Sequence, residues 1–214
     1  MAVFTEVSRS ELSRWLADYP VGELLHFEGI ASGIENTNYF VDTSAGRWVL
    51  TVFERLGPDK LPFHLGLMRH LADQGIACPR PVADRSGALS SMLLGRPAAL
   101  VSRLPGRSID QPDLRQCAQV GSVLASMHQA CLSFGLHQPN PRGLDWCALT
   151  APQVIGFLTP EQADLLHDEL RAQQAFAQQP RASHLPGGAV HADLFRDNAL
   201  FEGAELGGVI DFYF

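Results

Sequence analysis

The residues best equipped for chemistry lie near one end of the chain, in the run V-H-A-D-L-F-R-D-N-A-L-F that begins at Val190 and in the later I-D-F at Ile210. Asp193 and Asn198 stand five positions apart on what reads as a loop. Two apolar pieces follow, residues 198–201 and 208–210, with a Glu202-Gly203-Ala204 turn between them. Pairing them as an antiparallel hairpin would carry Asn198 and Asp211 to the same end, close to Asp193. Three oxygen-bearing side chains would then converge, usable as bases or as ligands for a hard cation such as Mg2+, for which one carboxylate and one amide suffice beside water. The plain alternative is a solvated hairpin whose acids and amide serve as turn residues.

The elements that must position this hairpin can be read in order. Ser8-x-x-Glu11 is a capping-box pattern, and Leu12, Trp15, Leu16 and Tyr19 recur at helical spacing. Residues 24–31, 37–41 and 47–53 are apolar runs joined by turn-forming stretches, which predicts an antiparallel meander. The first connection, residues 29–38, is glycine-bearing and small, so its backbone N–H groups could approach phosphate oxygens; an ordinary turn uses the same residue types. A helix over residues 61–74 stops at Gly75, with Leu65, Met68 and Leu71 on one face. Two short strands, residues 89–94 and 98–104, are split by a Gly95-Arg96-Pro97 turn. Residues 102–106 form the expected hinge, which divides the chain into lobes at 1–104 and 105–214.

Beyond the hinge a helix is expected over residues 112–131, with Cys117, Val120, Leu124, Met127 and Cys131 as its apolar stripe. His128 sits beside that stripe as a boundary histidine. Residues 138–146 read as a Pro/Gly-rich loop carrying Arg142 and Asp145. Thr159-Pro160-Glu161-Gln162 is a helix start, with Ala163, Leu166 and Leu170 expected to be buried. Residues 178–188 lead, as a polar loop, into the hairpin.

At 214 residues, 46% hydrophobic and 18% charged, the composition is that of an ordinary globular protein. A net charge of -7 argues against general nucleic-acid binding. The start of the chain lacks the pattern of a signal peptide, and no apolar stretch is long enough to span a bilayer, so no membrane partner is expected. Cys78, Cys117, Cys131 and Cys147 form no C-x-x-C pair, which predicts buried reduced thiols and a cytoplasmic protein. There is no signal for oligomeric state, and no G-x-x-x-x-G-K-[ST] loop.

The spacing His191-x-Asp193-x-x-x-x-Asn198, followed by a strand ending at Asp211, resembles the catalytic and metal-binding loops of protein-kinase-like phosphotransferases. With the order of elements, the chain resembles the aminoglycoside-phosphotransferase-like kinases. Within them it is most similar to the homoserine kinases of that fold, through S-G-I-E-N-T-N-Y-F-V from Ser32, L-P-F-H-L-G-L-M from Leu61, N-P-R-G-L from Asn140 and H-A-D-L-F-R-D-N-A-L-F from His191. The resemblance implies an α+β, bilobal kinase-like fold, with an antiparallel sheet plus helix in the N-lobe and a mainly helical C-lobe.

It also implies ATP and Mg2+ as cofactors and L-homoserine as the small-molecule substrate. Asp193 would be the base that meets the substrate hydroxyl, Asn198 and Asp211 the metal ligands, and His191 a brace. Gly33, Ile34, Asn36, Thr37 and Asn38 would cover the phosphates, and backbone at Ser102, Arg103 and Leu104 would hold adenine. Arg142, with Arg196, is assigned to the substrate carboxylate. Thr51 stands where most relatives carry a phosphate-binding lysine, and His64 near the position of its glutamate partner, so neutralisation must come from Arg55 or from magnesium. Such relatives continue for several helices past the position of Phe214, so an incomplete C-lobe with a bare apolar face is expected. The competing readings are phosphorylation of another alcohol, such as an aminoglycoside or choline, and a non-catalytic nucleotide-binding fragment.

Overall fold

The computed structural model describes residues 3–31, 33 and 35–213; Ile34, assigned to the phosphate loop, lies outside the described residues, as do Ser32 and Phe214. By contacts the chain groups into residues 1–136 with 189–214, and residues 137–188. The hairpin thus belongs with the sheet.

In the first unit, α1 (Arg9–Leu16) begins at Ser8, whose side chain accepts from the Glu11 N–H while Glu11 returns a bond to the Ser8 N–H. Three strands follow as the expected meander, β1 (Leu24–Gly29), β2 (Thr37–Thr43) and β3 (Gly46–Val52). After α2 (Leu61–Asp73), β4 (Ser91–Leu93) and β5 (Arg96–Ser102) complete a sheet of order β1-β2-β3-β5-β4. Alternation along β2 buries Thr37, Tyr39, Val41 and Thr43. One apolar cluster joins Leu50, Val52 and Leu100 to Leu12, Trp15 and Leu16 of α1. The other joins Ala99 and Val101 to Leu61, Leu65 and Met68 of α2 and to Val209 and Phe212 beyond the hairpin. That second cluster mounts the chemical loops on the sheet.

The turn expected at Gly95-Arg96-Pro97 is one step earlier. Leu94 and Gly95 take positive φ values of 52° and 77°, the pairing that a two-residue hairpin turn needs. Arg96 and Pro97 are thereby released into β5, opposite Leu93 and Met92.

Helix α3 (Leu114–Cys131) starts at Asp113, which forms a capping box with Gln116. Gln119 then grips the hairpin of β6 (Ala199–Glu202) and β7 (Glu205–Val209), donating to Ala204 O at 2.8 Å and accepting from Leu206 N–H at 2.8 Å. The segment at Pro105-Gly106 passes so close that a Cβ on Gly106 would lie 2.5 Å from Phe201 O, and Gly106 has a φ of +92°. Only glycine fits there. Arg107 and Phe201 exchange backbone bonds of 3.0 and 2.8 Å beside it.

The second unit holds α4 (Leu144–Val154) and α5 (Pro160–Ala177). The expected loop over residues 138–146 ends earlier, because the helix begins directly after Gly143 and takes in Leu144, Asp145 and Trp146. Thr159 caps α5 as expected, but Ala163, Leu166 and Leu170 are half-buried rather than core. Leu149, Phe157 and Leu165 of this unit are largely exposed. Among the described residues, no helix is long and apolar enough to cross a membrane.

The cysteines divide. Cys78 and Cys131 are buried, whereas Cys117 is exposed on the solvent side of α3, so the expectation of four buried thiols is corrected. Val123 and Ala130 share the packed face of α3 with Met127 instead. Burial pushes the Cys78 thiol up to about 12 and raises Cys131 as well. In the native protein at neutral pH, a chromogenic disulfide reagent should therefore modify Cys117 first and Cys78 only on unfolding. Cys117→Ser should remove the fast phase; a fast reaction at Cys78 would contradict this packing.

Candidate active site

The loop before the hairpin is tied by bonds at both ends. His191 Nε2 meets Ile210 O at 2.9 Å, so that nitrogen carries the hydrogen. Its Nδ1 then faces the Asp193 N–H at 3.4 Å. With both ring nitrogens turned to backbone, and its ring against Phe212 at 4.9 Å, the histidine braces the loop. Ala192 takes a φ of +64°, which swings Asp193 away from the strand.

Asn198 joins the loop to the return strand. Its Nδ2 donates to Asp193 O at 2.8 Å and reaches Asp193 Oδ2 at 3.4 Å. Its backbone carbonyl accepts from Ile210 N–H at 2.9 Å. With the amide nitrogen used in this way, Oδ1 is left as a hard oxygen donor. Asp211, the next residue along, is open to solvent on one side. Its carboxyl pKa is raised above the ordinary value, first by desolvation against the surrounding protein and then by the negative charge of Asp193; His191 opposes the shift and Glu35 adds to it. Asp193, Asn198 and Asp211 are thus brought together, and Glu35 of the glycine-bearing loop lies close enough for its charge to be felt.

The residues of that loop differ in what they leave free. Gly33 is exposed with a φ of +102°. Thr37 is fully buried; its hydroxyl accepts from the Phe4 and Thr5 N–H groups at 2.8 and 3.0 Å and donates to Glu54 Oε1 at 2.7 Å. Asn36 Oδ1 accepts from the Glu54 N–H at 3.4 Å, and Asn38 Oδ1 from the Thr51 hydroxyl at 2.8 Å. Thr51 is 4% exposed, so its hydroxyl supports Asn38 from below the loop.

Glu54 escaped the sequence reading. Its side chain is 10% exposed and pairs with Arg96 Nε at 3.0 Å. Its Oε1 also accepts from the Thr5 hydroxyl at 2.7 Å, and its carbonyl from Arg96 Nη1 at 3.0 Å. One carboxylate thus ties the start of the chain, the end of the loop and β5. An acid directly after the apolar β3 run was the available signal. Its partners are distant in sequence, so the pattern alone could not name them.

Of the residues expected to hold adenine, Ser102 N–H donates to Arg80 O at 2.9 Å and Arg103 N–H to Arg47 O at 3.1 Å. Leu104 N–H has no acceptor among the described residues. The Arg103 guanidinium lies 3.8 Å over the Phe40 ring. Arg196 donates to Asp110 O at 3.0 Å, within the unit that holds Asp193. Arg142 belongs to the other unit, where its N–H donates to Asn140 Oδ1 at 2.9 Å. Arg55 is exposed, with no ion-pair partner among the described residues. Among those residues there is also no cluster of three His, Cys, Asp or Glu that could enclose a metal.

Residues 26–214 match the profile of the phosphotransferase enzyme family, APH. The chain is 48% identical over 214 residues to the homoserine kinase of Janthinobacterium sp. (strain Marseille), covering all of this chain and 66% of that protein. It is 50% identical, over the whole chain, to the homoserine kinases of Methylobacillus flagellatus and Polaromonas naphthalenivorans, covering 66% and 68% of them. The chain spans about two thirds of the length of these relatives. Among solved structures it is similar to a spectinomycin phosphotransferase in complex with ADP and spectinomycin, with a TM-score of 0.68 at 13% identity over 98% of this chain and 70% of that one. An aminoglycoside phosphotransferase from Alicyclobacillus acidocaldarius matches at a TM-score of 0.64 and 17% identity, over 97% and 66%. These likenesses give the α+β kinase-like fold expected from the sequence.

Two outcomes follow from the buried polar groups. Glu54→Gln removes the charge facing Arg96 and one acceptor, and should cost roughly 1–3 kcal/mol in denaturant unfolding. Glu205→Gln, which loses an exposed pair with Arg115, should cost less than about 1 kcal/mol; equal effects would remove Glu54 as a hub. His64 is held neutral by burial, which lowers its pKa below the ordinary 6.5 against the opposing bond to Phe212 O. The unfolded chain binds a proton there first, so this stability is complete above 6.5 and lost as pH falls below it. The loss of stability between about pH 7 and about pH 5 should accordingly be smaller in His64→Asn than in the wild type.

Proposed function

We propose a reaction from this premise: the chain belongs to the phosphotransferase enzyme family, and the reaction is transfer of the γ-phosphoryl group of ATP to the hydroxyl of L-homoserine. The observation that carries the transfer is the bond from Asn198 Nδ2 to Asp193 O together with that from Ile210 N–H to Asn198 O, which sets a base beside two oxygen donors. The choice of acceptor rests on the homoserine kinases that match the whole chain at about half identity.

The donor set fits a magnesium ion. Asn198 offers Oδ1, Asp211 offers a solvent-facing carboxylate, and the desolvation and the repulsion from Asp193 that raise the Asp211 pKa are both offset by a divalent cation. When bound, Mg2+ would neutralise charge on the nucleotide phosphates. The chain supplies the rest by positioning. Asp193, steadied by the Asn198 amide, accepts the proton of the acceptor hydroxyl at a carboxylate oxygen. Gly33, Asn36 and Asn38 lie over the phosphates, with the Glu54 N–H and the Thr51 hydroxyl holding the last two in place and Thr37 tying Glu54. Leu104 N–H is the backbone donor left for adenine at the segment 102–104. Arg196, in the unit that holds Asp193, is the cation assigned to the substrate carboxylate.

The test is ADP release with magnesium, ATP and L-homoserine, with kanamycin and choline as other acceptors. Asp193→Asn should lower kcat at least about 100-fold, while ADP affinity measured by calorimetry changes little. Wild-type turnover in the variant would remove Asp193 as the base. Turnover with choline or kanamycin alone would remove homoserine as the acceptor.

A further inference from the structure

Asp211 is a non-glycine residue with a φ of +68°. That conformation costs on the order of 1 kcal/mol and persists only where the surroundings impose it. The carbonyls on either side of Asp211 show what imposes it. Ile210 O, before it, accepts from His191 Nε2 at 2.9 Å; Phe212 O, after it, accepts from His64 Nδ1 at 2.9 Å. A carbonyl only accepts, so each ring nitrogen is the donor. His191 comes from the loop of Asp193, and His64 from the first turn of α2, 148 residues before Phe212.

We infer that His64 is a positioning residue for Asp211: with His191 it clamps the carbonyls of the residues before and after that aspartate and so fixes the carboxylate for the cation. The inference rests on the proposed role of Asp211 as a magnesium ligand.

The surroundings suit a rigid clamp. His64 is 4% exposed, with the Phe63 ring edge-on at 5.5 Å and 90° and the Tyr213 ring at 6.3 Å. Phe212 is itself buried, and Tyr213 packs edge-on against Phe53 of the segment after β3 at 4.8 Å. A rotation about the Asp211 φ would have to break one histidine bond and disturb this packing. Groups that orient a metal ligand from behind change metal affinity by about 10- to 100-fold when removed.

The test separates donor geometry from filled volume. An asparagine amide can place its nitrogen near the position of Nδ1, whereas the glutamine nitrogen falls near that of Nε2. Full-length His64→Asn and His64→Gln are compared with wild type and Asp211→Asn by two measurements. The first is hydrogen exchange of the amides at residues 210–213 without metal or nucleotide. The second is the ratio of ADP affinities with and without Mg2+, by calorimetry. His64→Gln should speed exchange and lower the Mg2+ ratio about tenfold, and His64→Asn should retain both. Equal behaviour of the two amides in exchange would overturn the clamp. A wild-type Mg2+ ratio unchanged by Asp211→Asn would instead remove the metal-ligand role while the exchange result still judged the clamp. Faster exchange in His64→Gln with an unaltered Mg2+ ratio would show a clamp with no bearing on the cation and overturn the inference as stated.

Discussion

Asn198 is the constraint on which the site depends. Its side-chain amide nitrogen holds the backbone carbonyl of Asp193, and its own backbone carbonyl holds the N–H of Ile210, the residue before Asp211. The side chain must donate, which neither an aspartate nor a leucine could do, whereas the carbonyl that holds Ile210 belongs to the backbone. The hairpin then needs few further supports: Val209 N–H on Ala77 O at 2.9 Å, the Gln119 amide on the turn, and Phe201 paired with Arg107. Each fixes a backbone group rather than a side chain. The chemical residues are thus positioned through the chain itself, which leaves their carboxylates free.

Behind the site, the structure holds its parts together with neutral groups. Thr51 bonds Asn38, and His64 bonds a carbonyl while burial lowers its pKa. Tyr213 is half-buried beside them, its buried hydroxyl without a hydrogen-bond partner; burial and the charge of Asp211 push its pKa up, and the nearby Thr51 hydroxyl opposes. A buried phenol without a full partner costs about 1–3 kcal/mol. It does keep the interior free of charge there. The buried carboxylate of the region, Glu54, is displaced to the far end of β3, where Arg96 meets it. Charge is therefore kept to the solvent side, where Asp193 and Glu35 act on Asp211.

Much of this was legible in the residue order, and unevenly so. The capping boxes at Ser8 and Thr159 and the hairpin of β6 and β7 were readable because each is local: the signal and the bond lie within a few residues. The capping box at Asp113 is of the same local kind and was missed, since Pro112 drew the helix start two residues earlier. Helix α4 was hidden by Pro139, Pro141 and Gly143, which end just where it begins. The Leu94-Gly95 turn was misplaced because leucine rarely takes a positive φ, and only the pairing of β4 with β5 reveals that it does. The part illegible in the sequence is the long-range polar set: Glu54 with Thr5 and Thr37, and His64 with Phe212.

Those long-range bonds also explain why Thr51 and His64 belong together as departures from the family pattern. A lysine ammonium at position 51 would need a buried counter-charge, and the helix position opposite would then have to be acidic. With threonine at 51 no such charge exists, and an acid at 64 would itself be buried and unpaired, at a cost that a neutral imidazole avoids. The imidazole can still donate, which a hydrocarbon could not, and the acceptor within reach is the Phe212 carbonyl. One exchange of type therefore makes the other favourable, and the pair ties α2 to the segment after β7 without an ion pair. What this arrangement gives up is a fixed cation at β3, and in the proposed reaction the balancing of anionic oxygens falls to the magnesium ion that Asp211 and Asn198 Oδ1 would hold.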